Sequence, residues 1–222
     1  MKISMKTLTS HKHFNMKVAI VVLASLAVCL GAPQPRHAFH EHFEDFMVLI
    51  REEAGHDLDH IMGHYLEFDD FIRGIEYMRS EGFKNLLAEL ESLSEFQALV
   101  DFLEKDNIDI TYFIDQVHTM LDNIETTSNK ARHQMSGTDI SAFMIDSIGE
   151  FPKDKLAALY EKKIAESEEF RTSMENLNSE EFEQIVDALL DNETFKKEAA
   201  TLATYGFSVE VFVREIKAVF GQ

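Results

Sequence analysis

The sequence predicts an all-α protein built from two tandem six-helix repeats, and two observations support this prediction. The first is composition: the 222 residues include only 9 glycines and 3 prolines, and 45% of them are hydrophobic. Few helix breakers and no sustained alternation of polar and apolar residues favour helices over strands. The second is an internal repeat, because positions 71–121 align without a gap on positions 170–220. A repeat of this length predicts that the second half copies the architecture of the first.

Apolar positions are retained between the two copies, while surface charges vary. Identical pairs include Phe71 with Phe170, Ser80 with Ser179, Phe83 with Phe182, and Leu90 with Leu189. Shared apolar positions indicate shared buried faces, so we expect the copies to pair about a pseudo-twofold axis.

The N-terminus has the pattern of a secretory signal peptide. Lys17 precedes an apolar run at 18–30, and small residues follow the run before Pro33. Because this run is shorter than the about twenty apolar residues of a membrane-spanning helix, we expect an exported, soluble chain. We assign residues 1–31 to a signal peptide with an N-terminal extension, and expect Met16 to be the natural start.

The first copy, residues 38–121, is divided into helices by a glycine and a series of polar caps. We expect its first helix to end near Gly55 and a short second helix to start at Asp57. The later helix starts are marked by the first-turn acids Asp69 and Asp70, by Ser80, by Ser94 with Gln97 as a capping box, and by Asp109.

Residues 122–138 lack apolar periodicity and are expected to link the copies. The second copy, residues 139–222, repeats the helix order. Its boundaries are marked by Asp139, by Pro152, by Asn178 with Glu181 as a capping box, by Gly206 as a stop, and by Ser208 as the last start. The sequon Asn192-Glu193-Thr194 lies at a helix start and is a candidate glycosylation site.

Charge and motifs exclude several classes of function. The formal net charge of −19 repels phosphate backbones, so we expect no nucleic-acid binding. The local signatures of serine hydrolases, zinc proteases and nucleotide enzymes are absent from the sequence, and the single cysteine falls within the signal peptide. We therefore expect no enzymatic activity and no cofactor.

One histidine pattern raises a more specific hypothesis. His56, His60 and His64 recur every four residues along one helix face, which suggests a zinc or copper site or a response to pH. A solvated polar stripe is the alternative, and one metal ion cannot easily take all three from a straight helix. The second copy has Lys155, Leu159 and Lys163 at these positions, and a weaker cluster comprises His37, His40 and His42.

The side-chain inventory favours weakly directional apolar contacts. The chain has 18 Phe and 10 Met but no Trp, and methionine suits irregular apolar surfaces. Periodicity alone does not distinguish a solid core from a core that encloses a ligand cavity.

The motifs of the two copies resemble those of a known family. Ser-Glu-Gly-Phe-x5-Glu-Leu at 80–90 corresponds to Ser-Glu-Glu-Phe-x6-Leu at 179–189, and each copy closes with a short helix entry at 108–113 or 207–212. Behind a signal peptide, this tandem pattern resembles the insect allergen-related repeat family, which includes cockroach group 1 midgut allergens and gut microvillar proteins of blood-feeding flies.

The resemblance implies a hollow helical shell around a large apolar cavity that holds fatty acyl chains or phospholipids nonspecifically. It also implies a gut-lumen or microvillar location and a role linked to digestion. In some relatives it implies disruption of membranes by lipid exchange, and one relative redirects glucosinolate breakdown to nitriles.

Three hypotheses follow: a non-enzymatic lipid-binding protein, a solid-core structural or interaction protein of the gut surface, and a protein that lyses membranes by lipid exchange. Oligomeric state is left open. From helical spacing, the cavity-lining residues expected in the first copy are Phe71, Ile75, Met78, Leu86, Leu90, Phe113, Val117 and Met120. Those expected in the second copy are Met174, Leu177, Ile185, Leu189, Phe212, Ile216 and Val219.

Overall fold

The computed structural model of the protein describes residues 38–110, 112, 124, 135–211 and 214–215. These residues form helices and no strands, which confirms the all-α prediction for the described part of the chain. The signal peptide assigned to 1–31 and most of the linker assigned to 122–138 lie outside the described residues. Its helices are α1 (Ala38–Tyr65), α2 (Asp69–Met78), α3 (Glu81–Glu91), α4 (Ser94–Glu104), α5 (Ile140–Gly149), α6 (Lys153–Glu166), α7 (Glu168–Asn176), α8 (Glu180–Asp191) and α9 (Glu193–Thr204).

The first helix is continuous, although the sequence predicted two helices there. Gly55 and Asp57 both lie inside α1, so the expected end near Gly55 and the expected cap at Asp57 are wrong. Glycine retains its backbone N–H and costs only about 1 kcal/mol relative to alanine in a helix, so the hydrogen-bond ladder runs through it. The second half does break in this region, where Pro152 is the N-cap of α6. Proline has no N–H to donate and therefore interrupts the ladder.

Most of the predicted polar caps are confirmed. Ser80 Oγ accepts a hydrogen bond from Phe83 N at 3.3 Å. Asp139 caps α5 in the same way, by accepting from Ala142 N at 2.9 Å. Further side-chain caps lie at Ser167 before α7, Ser179 before α8 and Asn192 before α9. Gly206 ends α9 as predicted, with a φ of 82° that glycine adopts without steric cost.

Two predicted capping boxes are wrong by one residue. The N-cap of α4 is Leu93, in extended conformation and without a side-chain hydrogen bond, so Ser94 is already the first helical residue. The N-cap of α8 is Ser179 and not Asn178. In both places a neighbouring residue adopts the extended backbone that an N-cap requires, which the capping pattern alone does not locate.

The core is organised around α1. Its buried residues Phe39, Phe43, Phe46 and Ile50 follow helical spacing, and α1 packs against α5, α6 and α7 of the second half. Side chains from α2, α4, α7 and α8 join the same buried cluster. A single hydrophobic core therefore spans both halves of the described chain.

Helix pairs between the halves are reciprocal. Helices α2, α3 and α4 start at 69, 81 and 94, while α7, α8 and α9 start at 168, 180 and 193, the same 99-residue offset as the sequence repeat. Across the halves, α3 packs on α9 and α4 packs on α8. By this offset, α9 is the equivalent of α4, and α8 is the equivalent of α3. The two contacts therefore join the same pair of equivalent helices, with the halves exchanged.

α1 is 28 residues long, enough for a bilayer span, but it carries charged residues throughout. None of the helices in the described ranges has both the length and the apolar character that crossing a membrane requires.

Candidate functional site

The candidate lining residues that the structure describes lie in or beside the common core. Phe71, Ile75, Met174 and Leu177 belong to one buried cluster. The half-buried Met78 and Ile185 pack against it, Leu86 and Leu189 are buried, and Leu90 is half-buried. The other candidates lie outside the described residues: Phe113, Val117, Met120, Phe212, Ile216 and Val219.

Two aromatic clusters surround the equivalent residues Phe71 and Phe170, each of which is almost fully buried. The ring of Phe71 lies 5.5 Å from Tyr65 and 5.2 Å from Phe143 between centroids. Phe170 has rings around it at 4.9 to 6.4 Å, from Phe39, His42, Phe46 and Tyr160. Pairs in this distance range favour tilted and offset geometries, so both clusters are specific packing arrangements.

The Phe71 cluster has one polar edge, formed by Tyr65 and Asp146. The Tyr65 hydroxyl donates to Asp146 Oδ2 at 2.6 Å, and Ser136 N donates to the same oxygen at 3.1 Å. Burial, followed by the hydrogen bond with Asp146, raises the pKa of Tyr65 above its usual value. The phenol therefore keeps its proton and donates the hydrogen bond that links α1 to α5.

The Phe170 cluster has a polar edge of different composition, which joins α1 to α6 and α7. Lys163 is only 7% exposed, and its Nζ lies 2.5 Å from Asp45 Oδ2 and 3.1 Å from His42 Nδ1. His42 Nε2 lies 3.0 Å from Ser167 Oγ, which also accepts from Phe170 N at 3.1 Å as the cap of α7. These side chains form one continuous hydrogen-bonded chain, called the Lys163 cluster below.

The Lys163 cluster fixes the tautomer of His42. An ammonium group only donates, so Nδ1 of His42 must accept from Lys163, and the proton of the neutral imidazole is on Nε2. Nε2–H then donates to Ser167 Oγ. A histidine acting as general base would need the opposite arrangement, with a free lone pair facing the hydroxyl. The Ser167–His42 pair is therefore arranged for structural bonding and not for activating a serine nucleophile.

Burial, and then the charge of Lys163, lower the pKa of His42 below its usual value, against opposing effects of Asp45, Glu169 and Glu41. Both causes favour the neutral imidazole over the charged one.

The sequence carries one signal for this site. Lys163 follows Leu156 and Tyr160 at helical spacing, so a lysine occupies an otherwise apolar stripe. Such a lysine is expected to find a buried partner. Its partners, however, lie more than a hundred positions earlier in the chain, and spacing alone cannot identify them.

The predicted histidine stripe divides between solvent and core. The side chain of His56 is 93% exposed and lies 3.5 Å from Asp57, whereas His64 is buried with its ring 4.5 Å from that of His60. The alternative of a solvated polar stripe is therefore wrong at His64, which lies towards the core at the C-terminal end of α1. Among the described residues, no group of three or more His, Cys, Asp or Glu side chains is placed to hold a metal ion.

The glycosylation candidate Asn192 is half-buried at the junction of α8 and α9. Its Oδ1 accepts from Thr194 N at 2.8 Å and from Phe195 N at 3.2 Å. The pKa of Glu95 is lowered by a hydrogen bond with its own backbone and then by one with the Asn192 side chain. Asn192 therefore caps α9 and also contacts α4 of the other half.

Comparison with known proteins places these features in a family. A model of the family described as "Insect allergen related repeat, nitrile-specifier detoxification" matches residues 38–213, most of the chain. The chain is also similar to "Protein G12" of Anopheles gambiae, with 24% identity over 213 residues that cover 93% of this chain and 99% of the relative. Because the family match includes every helix α1 to α9, the chain belongs to the insect allergen related repeat family.

Proposed function

We propose that the protein is a secreted, non-enzymatic lipid-binding protein of the insect gut, which carries fatty acyl chains or phospholipids in an apolar interior. In this proposal two equivalent repeats, 38–121 and 139–222, close about a pseudo-twofold axis into a shell. The equal offset between equivalent helix starts and the reciprocal α3–α9 and α4–α8 contacts support the repeat arrangement.

The observation that carries the proposal is a set of half-buried apolar side chains that pack against the core, called the apolar belt below. It includes Met47, Met62, Met78 and Met135, together with Phe68, Phe143 and Ile185. These side chains make no hydrogen-bond demands, and methionine adapts to irregular apolar partners. A belt of this kind suits an acyl chain, which varies in length and offers no polar groups along its body.

One observation favours the alternative of a solid-core structural or interaction protein. Phe71, Ile75, Met174 and Leu177, all proposed as lining residues, pack within a single buried cluster. If the remaining candidates pack in the same way, the Phe and Met residues serve stability alone. The two proposals therefore differ in whether the native protein carries lipid.

The deciding experiment is extraction and mass spectrometry of the protein purified natively from a secreting insect cell line. Stoichiometric acyl lipid would support the carrier proposal, while lipid-free protein with full stability would favour the solid core. The informative variant is Met78→Lys, which places a charge in the apolar belt and should lower the lipid content. Its matched control is Val48→Lys, at an apolar residue already 53% exposed, which should leave the lipid content unchanged.

Membrane disruption by lipid exchange is a further proposal that requires the carrier function. Lipid-loaded protein should then release a dye trapped in phospholipid vesicles faster than delipidated protein does. Equal release by both forms would argue against exchange as the mechanism. Location in the gut lumen or on microvilli is tested separately, by staining gut sections with an antibody to the chain.

A further inference from the structure

We propose that His42 is a pH-sensitive latch between α1 and the second half of the chain, closed when its imidazole is neutral and open when it is protonated. The proposal goes beyond lipid binding and does not require a bound ligand. It starts from the geometry of the Lys163 cluster, in which one imidazole bridges a buried ammonium group and a helix-capping hydroxyl.

The closed state depends on the lone pair of His42 Nδ1. That atom accepts from Lys163 Nζ at 3.1 Å, while Nε2–H donates to Ser167 Oγ at 3.0 Å. α1 is thereby bonded to α6 through Lys163 and to the start of α7 through Ser167. Both partners lie more than 120 positions from His42 in the chain, so the bridge is a tertiary contact.

Protonation removes this lone pair and places a new N–H against the ammonium group. Lys163 cannot easily withdraw, because it is almost fully buried, is paired with Asp45 and lies 5.9 Å from the centroid of the Phe46 ring. An attractive hydrogen bond thus becomes a repulsion between two cations in a partly desolvated place.

The charged groups around His42 have opposing effects on the pKa of its imidazole. Lys163 on α6 disfavours the imidazolium, while Asp45 and Glu41 on α1 and Glu169 on α7 favour it. The pKa of His42 is nonetheless lowered, with burial as the largest cause and Lys163 next. Asp45, the largest of the opposing influences, also pairs with Lys163.

Opening the latch would loosen the N-terminal part of α1, which contributes Phe39, Phe43 and Phe46 to the core. Phe39 and Phe46 pack on Phe170, and the ring of His42 itself lies 4.9 Å from that of Phe170. Acidification is therefore expected to weaken the Phe170 cluster and expose apolar surface. That this surface would admit or release lipid is a consequence that rests on the proposed function.

The direct test is an NMR titration of the histidine side chains in the full chain, with the His42 signal assigned by its loss in His42→Gln. We expect the pKa of His42 to lie below 6.5, the usual value for histidine. Lys163→Met should move the midpoint upward, because the neighbouring cation is removed, whereas Lys163→Arg should keep it low. A wild-type midpoint at or above 6.5, or one unchanged in folded Lys163→Met, would overturn the proposal.

The second test measures urea unfolding midpoints between about pH 7.5 and pH 5. Because folding lowers the pKa of His42, the unfolded chain binds more protons in this window. The stabilisation from the neutral His42 bridge is therefore complete above pH 6.5 and is lost as the pH falls through the folded-state pKa of His42. His42→Gln should lose less stability on acidification than the wild type does.

The matched control is His56→Gln, which removes an exposed imidazole from the same helix and should retain the wild-type pH dependence. If His42→Gln and His56→Gln respond to pH alike, no latch exists at His42. Neither measurement involves lipid, so failure of the latch and failure of lipid binding are distinguishable.

Discussion

At Gly74, α2 approaches α5 and the end of α9 so closely that one methyl group has no space. A Cβ built on this glycine would lie 2.6 Å from the carbonyl oxygen of Tyr205 and 2.5 Å from Cδ1 of Ile140. The isoleucine side chain can rotate, but the backbone carbonyl cannot withdraw without moving the turn after α9. We expect Gly74→Ala to lower the free energy of unfolding by about 1–3 kcal/mol, the usual cost of overpacking, as measured by urea denaturation.

The control for Gly74 is Gly55, which lies inside α1. A Cβ there would meet only Cγ of Arg51, at an ordinary contact distance of 3.6 Å. Gly55→Ala should therefore raise the free energy of unfolding by about 0.5–1 kcal/mol, since alanine favours the helix. Loss of stability in Gly55→Ala would contradict a continuous α1, and equal effects of the two substitutions would contradict the close approach at Gly74.

At the scale of the helices, the cap of α8 gives a direct test of where that helix begins. Ser179 Oγ accepts from Phe182 N at 3.2 Å, and an N-cap serine replaced by alanine typically costs about 1 kcal/mol. Ser179→Ala should therefore lower the free energy of unfolding by that amount. Ser94→Ala should cost nothing measurable, because Ser94 follows the N-cap Leu93 in α4. A larger loss in Ser94→Ala than in Ser179→Ala would reverse these assignments.

At the start of α9, the glycosylation candidate Asn192 is also the helix N-cap. Attachment of a glycan to Asn192 Nδ2 leaves Oδ1 free, so the hydrogen bonds from Thr194 N and Phe195 N can persist. We expect chain secreted from insect cells to carry a glycan at this position, detected by mass spectrometry before and after enzymatic removal.

Two variants separate the modification from the cap. Thr194→Ala destroys the sequon but retains the Asn192 cap, and Asn192→Asp removes the acceptor nitrogen but retains a capping oxygen. Both should be secreted without the mass shift and with α9 intact. A wild-type chain without the shift would show that the half-buried Asn192 escapes modification.

Local chemistry made the helix boundaries partly predictable from sequence. Ser80, Asp139 and Asn192 cap their helices because the cap bond involves only residues two or three positions away. The predicted helix end near Gly55 was wrong because glycine weakens a helix only slightly, and packing of the buried stripe of α1 compensates for this cost. Pro152, in contrast, removes a hydrogen bond that no packing restores, and the second half breaks there.

The candidate site was less predictable, because its contacts join distant parts of the chain. The apolar spacing correctly placed Phe71 and Met174 among buried residues, since burial of one helix face follows from periodicity. No local pattern in the sequence links His42 with Lys163, because 121 positions separate them. The alternative of a solvated stripe from His56 to His64 is wrong at His64, since the surroundings of a helix change along its length.

At the scale of the whole molecule, the reciprocal helix pairs are what the proposed pseudo-twofold arrangement requires, since that arrangement would resemble the interface of a symmetric dimer. In such an interface each contact occurs twice with exchanged roles, as α3–α9 and α4–α8 do here. The halves differ in one respect, because α1 is continuous whereas α5 and α6 are separate helices. Among the described residues, one core cluster draws side chains from both halves.

This sharing predicts that the two halves unfold together. Phe102 on α4 and Phe182 on α8 are both buried, with ring centroids 5.3 Å apart across the halves. Phe102→Ala should lower the free energy of unfolding by about 3–5 kcal/mol. Hydrogen exchange should show the same loss of protection in α8 of the second half as in α4 of the first, within a single urea transition.

The matched control is Leu190→Ala, which truncates a side chain of α8 that is 40% exposed and should change protection little. Loss of protection confined to the first half in Phe102→Ala, or two separate urea transitions, would mean that each half is stable alone. Joint loss would mean that any opening to admit a ligand must disturb contacts between the halves, because those contacts hold the core closed. Local openings of lower free energy, such as one at the N-terminal part of α1, would then be the accessible route to the interior.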